Sequence, residues 1–260
     1  MLPTVWPTSI REINSLPDAQ KRAVYKTLLP DSILQLYGLD LENHSVITLH
    51  CPPKSRAMEM SVKRYAKDLD PVFFLNMADT FNNQLLVLLV VVNDLDAPRF
   101  NTDVDMYGNR TQFGTATRNL AAELAAMQAG LSPGQIRQGL RAFKQTVPIF
   151  EEFISRMGHD LFFIEPLAYT NAIIFERYGF HYLRGHREMI RINQEFQPGG
   201  ALYNKLTAGN SFRQPGAWKT VRGRAWAIHD GILGHPFTGF QMYKHIGKDA
   251  GINTFPDASW

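Results

Sequence analysis

Residues Leu85 to Val92 form an unbroken apolar run, LLVLLVVV. A continuous run of this length, bounded by turn residues, reads as a strand buried on both faces. A second strand-like run, Val72 to Met77, precedes it, and Asp79-Thr80-Phe81-Asn82-Asn83 stands between them. Asn tolerates positive φ, so the two runs predict a β-hairpin. The run is the longest apolar stretch in the chain, and it is far shorter than the roughly 20 residues of a membrane span. The early prolines and the lack of a basic segment leading into an apolar one predict no signal peptide.

The 260 residues are 45% hydrophobic and 20% charged, enough to build a full core in one large domain or two small ones. A net charge of +3 is too small to argue for nucleic acid by itself. The single cysteine, Cys51, excludes an internal disulfide and any Cys-based metal finger. A disulfide-free chain suits a reducing compartment, so a cytoplasmic location is expected, with Cys51 as a small buried hydrophobe.

Around the hairpin the pattern predicts mixed α/β structure. Helices are expected from Asp18 to Leu29 and from Asp31 to Tyr37, the latter stopped by Gly38. Val46 to His50 reads as a strand, and residues 55–69, with Met58, Val62, Tyr65 and Leu69 at helical spacing, read as a helix. Ala116 to Ala129 is a run of strong helix formers ending at Gly130. Ser132-Pro133-Gly134-Gln135 has the form of a capping box and predicts a helix carrying Ile136, Leu140 and Phe143, with another starting at Pro148. Strands are expected at Leu161 to Glu165, from His181, around Glu188 to Ile192, and at Val221 to Ile228. Between them Thr170 caps a helix from Asn171 to Tyr178, and a last helix is expected at Gly239 to His245.

The most informative stretch is Met157 to Gly185, MGHDLFFIEPLAYTNAIIFERYGFHYLRG. Its strand, helix, glycine stop and second strand resemble the C-terminal part of the GNAT acyltransferases. Phe175-Glu176-Arg177-Tyr178-Gly179-Phe180 is similar to the family's Tyr-Glu-x-x-Gly-Phe run. Asn109-Arg110-Thr111-Gln112-Phe113-Gly114-Thr115-Ala116 resembles the turn whose amides hold the acyl-CoA pyrophosphate in that family. Phe113 stands where the family has a glycine, Phe175 replaces a tyrosine, Asn171 is shifted from the family's Asn, and 131–157 is inserted.

The resemblance implies an α/β (α+β) fold with a GNAT-like, mixed and largely antiparallel sheet flanked by helices. Residues 1–45 would be a helical N-terminal extension, 46–195 the core with a helical insertion at 131–157, and 196–260 a C-terminal elaboration. It implies acetyl-CoA or another acyl-CoA as donor, held by Arg110, Gly114, Thr115, Ala116 and Asn171, and a small-molecule amine as acceptor. The proton acceptor would be Glu165, with Tyr169 and Tyr178 as acids toward the leaving thiolate. A fold of this kind kept for ligand binding without catalysis is an open alternative, and a homodimer is compatible with either.

Two other patterns suggest different chemistry. Lys205, Arg213, Lys219, Arg222 and Arg224 lie between 196 and 229 without an acidic residue, interleaved with Trp218 and Trp226. Such a face suits phosphates or stacked bases. His186-x-Glu188 on a strand would point both side chains one way and, with His235, make a two-His-one-carboxylate set for a divalent metal, as in a non-haem iron oxygenase. His229 is the other candidate third ligand. Asp103-Val104-Asp105 begins like a calcium loop, but Tyr107 and Gly114 occupy ligand positions, so that pattern fails.

Overall fold

The computed structural model describes every residue except Met1, Phe113 and Thr115. In chain order the elements are α1 (Ile10–Asn14), α2 (Asp18–Lys26), α3 (Asp31–Tyr37), β1 (Ile47–His50), β2 (Ala57–Val62), β3 (Phe73–Asp79) and β4 (Leu85–Val92). They continue with α4 (Leu120–Gln128), α5 (Phe143–Arg156), β5 (Leu161–Ile164), α6 (Tyr169–Arg177), β6 (His181–Arg184), α7 (His186–Phe196), α8 (Val221–His229) and β7 (Gln241–His245). The fold is therefore mixed α/β. No helix among the described residues is long and apolar enough to cross a membrane. Packing divides the chain into two units: Met1–Asp96, Gly139–Glu165 and Tyr243–Asp249 form the first, and Ala97–Gln138, Pro166–Met242 and Ala250–Trp260 the second.

The first unit is an open, mostly antiparallel sheet flanked by helices, with strand order β1-β2-β3-β4-β5-β7. Antiparallel pairing runs through Ile47↔Val62, Met60↔Leu75 and Leu75↔Val90. In β2 and β3 the buried residues alternate, Met58, Met60 and Val62 facing the same way, as do Phe73, Leu75 and Met77. That period of two is why residues 57–62 form a strand, where the spacing of Met58, Val62 and Tyr65 predicts a helix. β4 keeps the predicted hairpin, but most of it is half-buried, so it is not covered on both faces as the apolar run predicts.

α5 carries Val147, Phe150, Phe153 and Ile154 on its buried side. Phe150 stacks with Phe162 of β5 at 6.5 Å, and Phe153 meets the edge of Trp6 at 6.2 Å. The helix begins at Phe143 and runs through Pro148 instead of starting there. Residues 131–142 do not form the predicted helix. The Ser132 amide does donate to Gln135 Oε1 at 2.7 Å, but Gly134 and Arg141 have positive φ and keep the chain in turns.

Polar contacts lock the N-terminal helices to the sheet. Asp79, at the end of β3, accepts hydrogen bonds from the Ile10 and Arg11 amides at 2.8 and 2.9 Å, satisfying the first turn of α1. Buried Asn14 donates to the Ser55 and Ala57 carbonyls at 2.9 and 3.0 Å and accepts from the Tyr25 hydroxyl at 2.5 Å.

The second unit is built from α4, α6, α7 and α8, with the short strand β6. Three strand or helix expectations reverse here. Residues 186–196 and 221–229 are helices, and 241–245 is a strand. In α7 the buried residues Met189, Ile192 and Phe196 fall three and four apart, which the alternation of Glu188, Ile190 and Ile192 obscures. In α8 Thr220 caps the start by accepting from the Gly223 amide at 2.9 Å, and Ala225, Trp226 and Ala227 favour helix.

Replacing Asn14 with Ala removes a donor from each of two carbonyls, of which Ala57 keeps the Ser55 hydroxyl at 3.1 Å, and takes the acceptor from a buried phenol. It should lower unfolding stability by about 3 kcal/mol, measured as a reduced urea midpoint with an unchanged slope.

Candidate functional site

In the first unit β4 contains a bulge and loses its neighbour at the same point. Asn76 pairs with Leu89 and Met77 with Val87, so Leu88 is an extra residue on β4. On its other edge β4 pairs with β5 in parallel only at Leu86↔Phe163 and Val87↔Ile164. Among the described residues no strand pairs with Leu88–Val92 on that edge. Beyond β4, Asn93 bridges Gly139 and its amide donates back to Val72 O at 2.9 Å. Gly139 leads through Arg141, at φ +54°, into α5, whose first residue is preceded by Ala142 and no side-chain cap. Glu165 follows Ile164 and is exposed where β5 ends. Bulges re-aim strands beside ligand sites, and a free edge can take an extended ligand as an added strand.

The remaining candidates lie in the second unit. Tyr169 is fully buried at the start of α6, its hydroxyl accepting from Arg224 Nη1 at 3.4 Å. Burial pushes this phenol up to about 12 despite the arginine. Tyr178 caps the end of α6 and is half-buried, as is Asn171. Thr170, read as the cap, lies inside the helix, with Ala168 at the cap position. Arg110 and Ala116 are exposed loop residues, and α4 opens four residues after Ala116, capped by Asn119, so the 110–116 turn does not itself start the helix. Thr115, like Phe113, lies outside the described residues. His186 stacks on Tyr182 at 5.4 Å, whereas Glu188 is held by Arg191 Nε at 2.8 Å and stands 3.7 Å from His235 Nε2. The helical backbone separates His186 from the Glu188–His235 pair. Among the described residues no group of three or more His, Cys, Asp or Glu side chains is arranged to hold a metal.

The basic run also changes character. Arg213 pairs with Asp230 at 2.7 Å, Lys205 donates to the Ile232 carbonyl at 3.2 Å, and Arg224 and Trp226 are buried. A continuous cationic face does not form.

Sequence reading missed two buried polar clusters in this unit. In one, Glu123 of α4 is 2% exposed and accepts from Arg118 Nε at 2.9 Å and Arg118 Nη2 at 2.5 Å. Its other oxygen faces His229 Nε2 at 3.1 Å. Arg118 also donates to Asp230 at 2.9 Å, and its guanidinium lies 5.0 Å from the Phe212 ring. Gly114 closes over this group: a Cβ there would come within 2.5 Å of His229 Cε1, and its φ is +82°. Burial works to raise the Glu123 carboxyl, but His229 and Arg118 outweigh it and hold it below its ordinary range. A carboxylate in an otherwise apolar helix, LAAELAAMQ, was the available signal.

In the other cluster, Arg224 has no exposed surface and, among the described residues, no carboxylate partner. Its Nε donates to the Trp218 carbonyl and its Nη1 to Asn193 Oδ1, both at 2.7 Å. Its carbon lies 3.4 Å from the Phe255 ring centre. Burial lowers its pKa, the Tyr169 oxygen acting the other way. Burying an ion costs several kcal/mol, and cation–π contact returns only about 2 kcal/mol. Nearby Glu176 is buried and takes Tyr182 Oη at 2.5 Å and the Thr254 amide and hydroxyl at 2.8 and 2.6 Å. Burial raises its carboxyl above the usual range against those donors.

No family model, curated protein or solved structure matches the chain.

A depressed carboxyl contributes stability above its unfolded pKa, and that contribution is lost as pH falls through the folded value. Glu123→Gln should therefore cost about 3 kcal/mol at pH 7. It should also flatten the acid limb of stability below about pH 4.3, the ordinary Glu value, read by denaturant titration across pH.

Proposed function

We propose that this protein is an acyl-CoA-dependent N-acyltransferase whose donor lies along the free edge of β4. The observation that carries this reading is the coincidence at Leu88 of the β4 bulge with the departure of β5, next to exposed Glu165. An extended, amide-bearing donor arm can pair with the unpartnered Leu88–Val92 backbone as an added strand. Its phosphates would meet the start of α5, where first-turn amides lack a side-chain cap and Arg141 and Lys144 are exposed. Helix amides and the dipole favour anions there. The GNAT resemblance of Phe175 to Phe180 supports the same activity.

In this reaction the acceptor nitrogen attacks the thioester carbonyl. The new C–N bond forms, Glu165 takes the proton released from nitrogen, and the C–S bond breaks. The thiolate leaves and takes a proton from water. Glu165 has the solvent access such a base requires.

Acetyl-CoA at 100 times its dissociation constant should stabilise the protein by about 2.7 kcal/mol, seen as a rise in Tm. Glu165→Gln should keep that shift and reduce free-thiol release with an amine panel by about 10²–10⁴-fold. Absence of any shift at millimolar acetyl-CoA would sink the proposal. Donor binding without thiol release would identify a non-catalytic binding protein.

A further inference from the structure

We infer that the second unit contains a binding site for a monatomic anion of chloride size, held by Arg224 and Tyr169. The site is independent of the acyl-transfer reading. Arg224 is fully buried and, among the described residues, its Nη2 has no hydrogen-bond partner. Its remaining donors are used by Trp218, Asn193 and the Tyr169 oxygen. The Tyr169 hydroxyl, fully buried too, accepts that bond and, among the described residues, gives its own hydrogen to no acceptor. Thr170 Oγ, next along the chain, is buried without a partner as well. Arg224 Nη2 and the Tyr169 phenol it adjoins are thus donors without an acceptor, on and beside a cation without a counter-charge. The buried carboxylate of the region, Glu176, spends its oxygens on Tyr182 and Thr254.

The geometry favours a single small atom. Nη1, which the Tyr169 oxygen touches at 3.4 Å, and Nη2 hang from one carbon, so one acceptor can reach both Nη2 and the phenol. Phe255 at 3.4 Å and Phe196 at 5.2 Å pack against the guanidinium, which leaves its Nη2 edge for polar contact. A neutral acceptor would satisfy the hydrogen bonds and leave the charge uncompensated, whereas a halide supplies both.

The test is crystallography on the full chain with bromide, paired with unfolding measurements in chloride and in gluconate at equal ionic strength. An anomalous bromide peak in hydrogen-bond contact with Arg224 Nη2 is the expected result. In solution, each tenfold rise in chloride above its dissociation constant should raise the folding constant about tenfold, with no such rise in gluconate. Tyr169→Phe keeps the ring and should weaken the halide dependence, and Arg224→Met should abolish it. A neutral water at that position, with no anomalous peak at molar bromide, overturns the inference. So does unfolding that is the same in chloride and gluconate.

Discussion

The first unit depends on how β4 shares its backbone. On one edge it is paired with β3 along its length, from Phe73↔Val92 to Asp79↔Leu85. On the other it is paired for two residues and then released. A strand so firmly held on one side keeps its shape when the other is open, so the free amides and carbonyls stay in extended register. That is the condition for an edge that binds a ligand without first having to order itself. Asp79 and Asn14 extend the same logic outward, since both fix α1 against the sheet by bonds to backbone atoms.

The second unit solves a different problem. Its helices are short, and several charges lie inside them. Glu123 is neutralised by Arg118 and lies at hydrogen-bond distance from His229, an arrangement in which removing one partner is costly. Arg224 instead relies on a carbonyl, an amide oxygen, a phenol and aromatic rings. The two clusters share α8, which carries Arg224 inside and His229 at its last position.

The hairpin, α3 and the strand–helix–strand passage from Leu161 to Arg184 were legible because period, turn chemistry and glycine stops agreed. Residues 57–62 were misread because Met58, Val62 and Tyr65 satisfy a helical spacing while Met58, Met60 and Val62 satisfy a strand. Only pairing with β1 and β3 decides between them. The His186-x-Glu188 pattern failed for the converse reason: it presumed a strand where packing of Met189, Ile192 and Phe196 makes a helix. Glu165 could be named from its place after an apolar strand. The free edge it borders could not, because a bulge at Leu88 is a property of two strands and leaves no mark on one. The Glu123–His229 contact spans more than a hundred positions, and no local pattern encodes it.

Gly114 shows how narrow the tolerance of that contact is. The smallest possible side chain there would overlap the His229 ring by more than an ångström relative to ordinary van der Waals contact, on a backbone already turned left-handed. A lone methyl on that loop would thus act as a wedge, driving imidazole from carboxylate and leaving Glu123 to Arg118 alone.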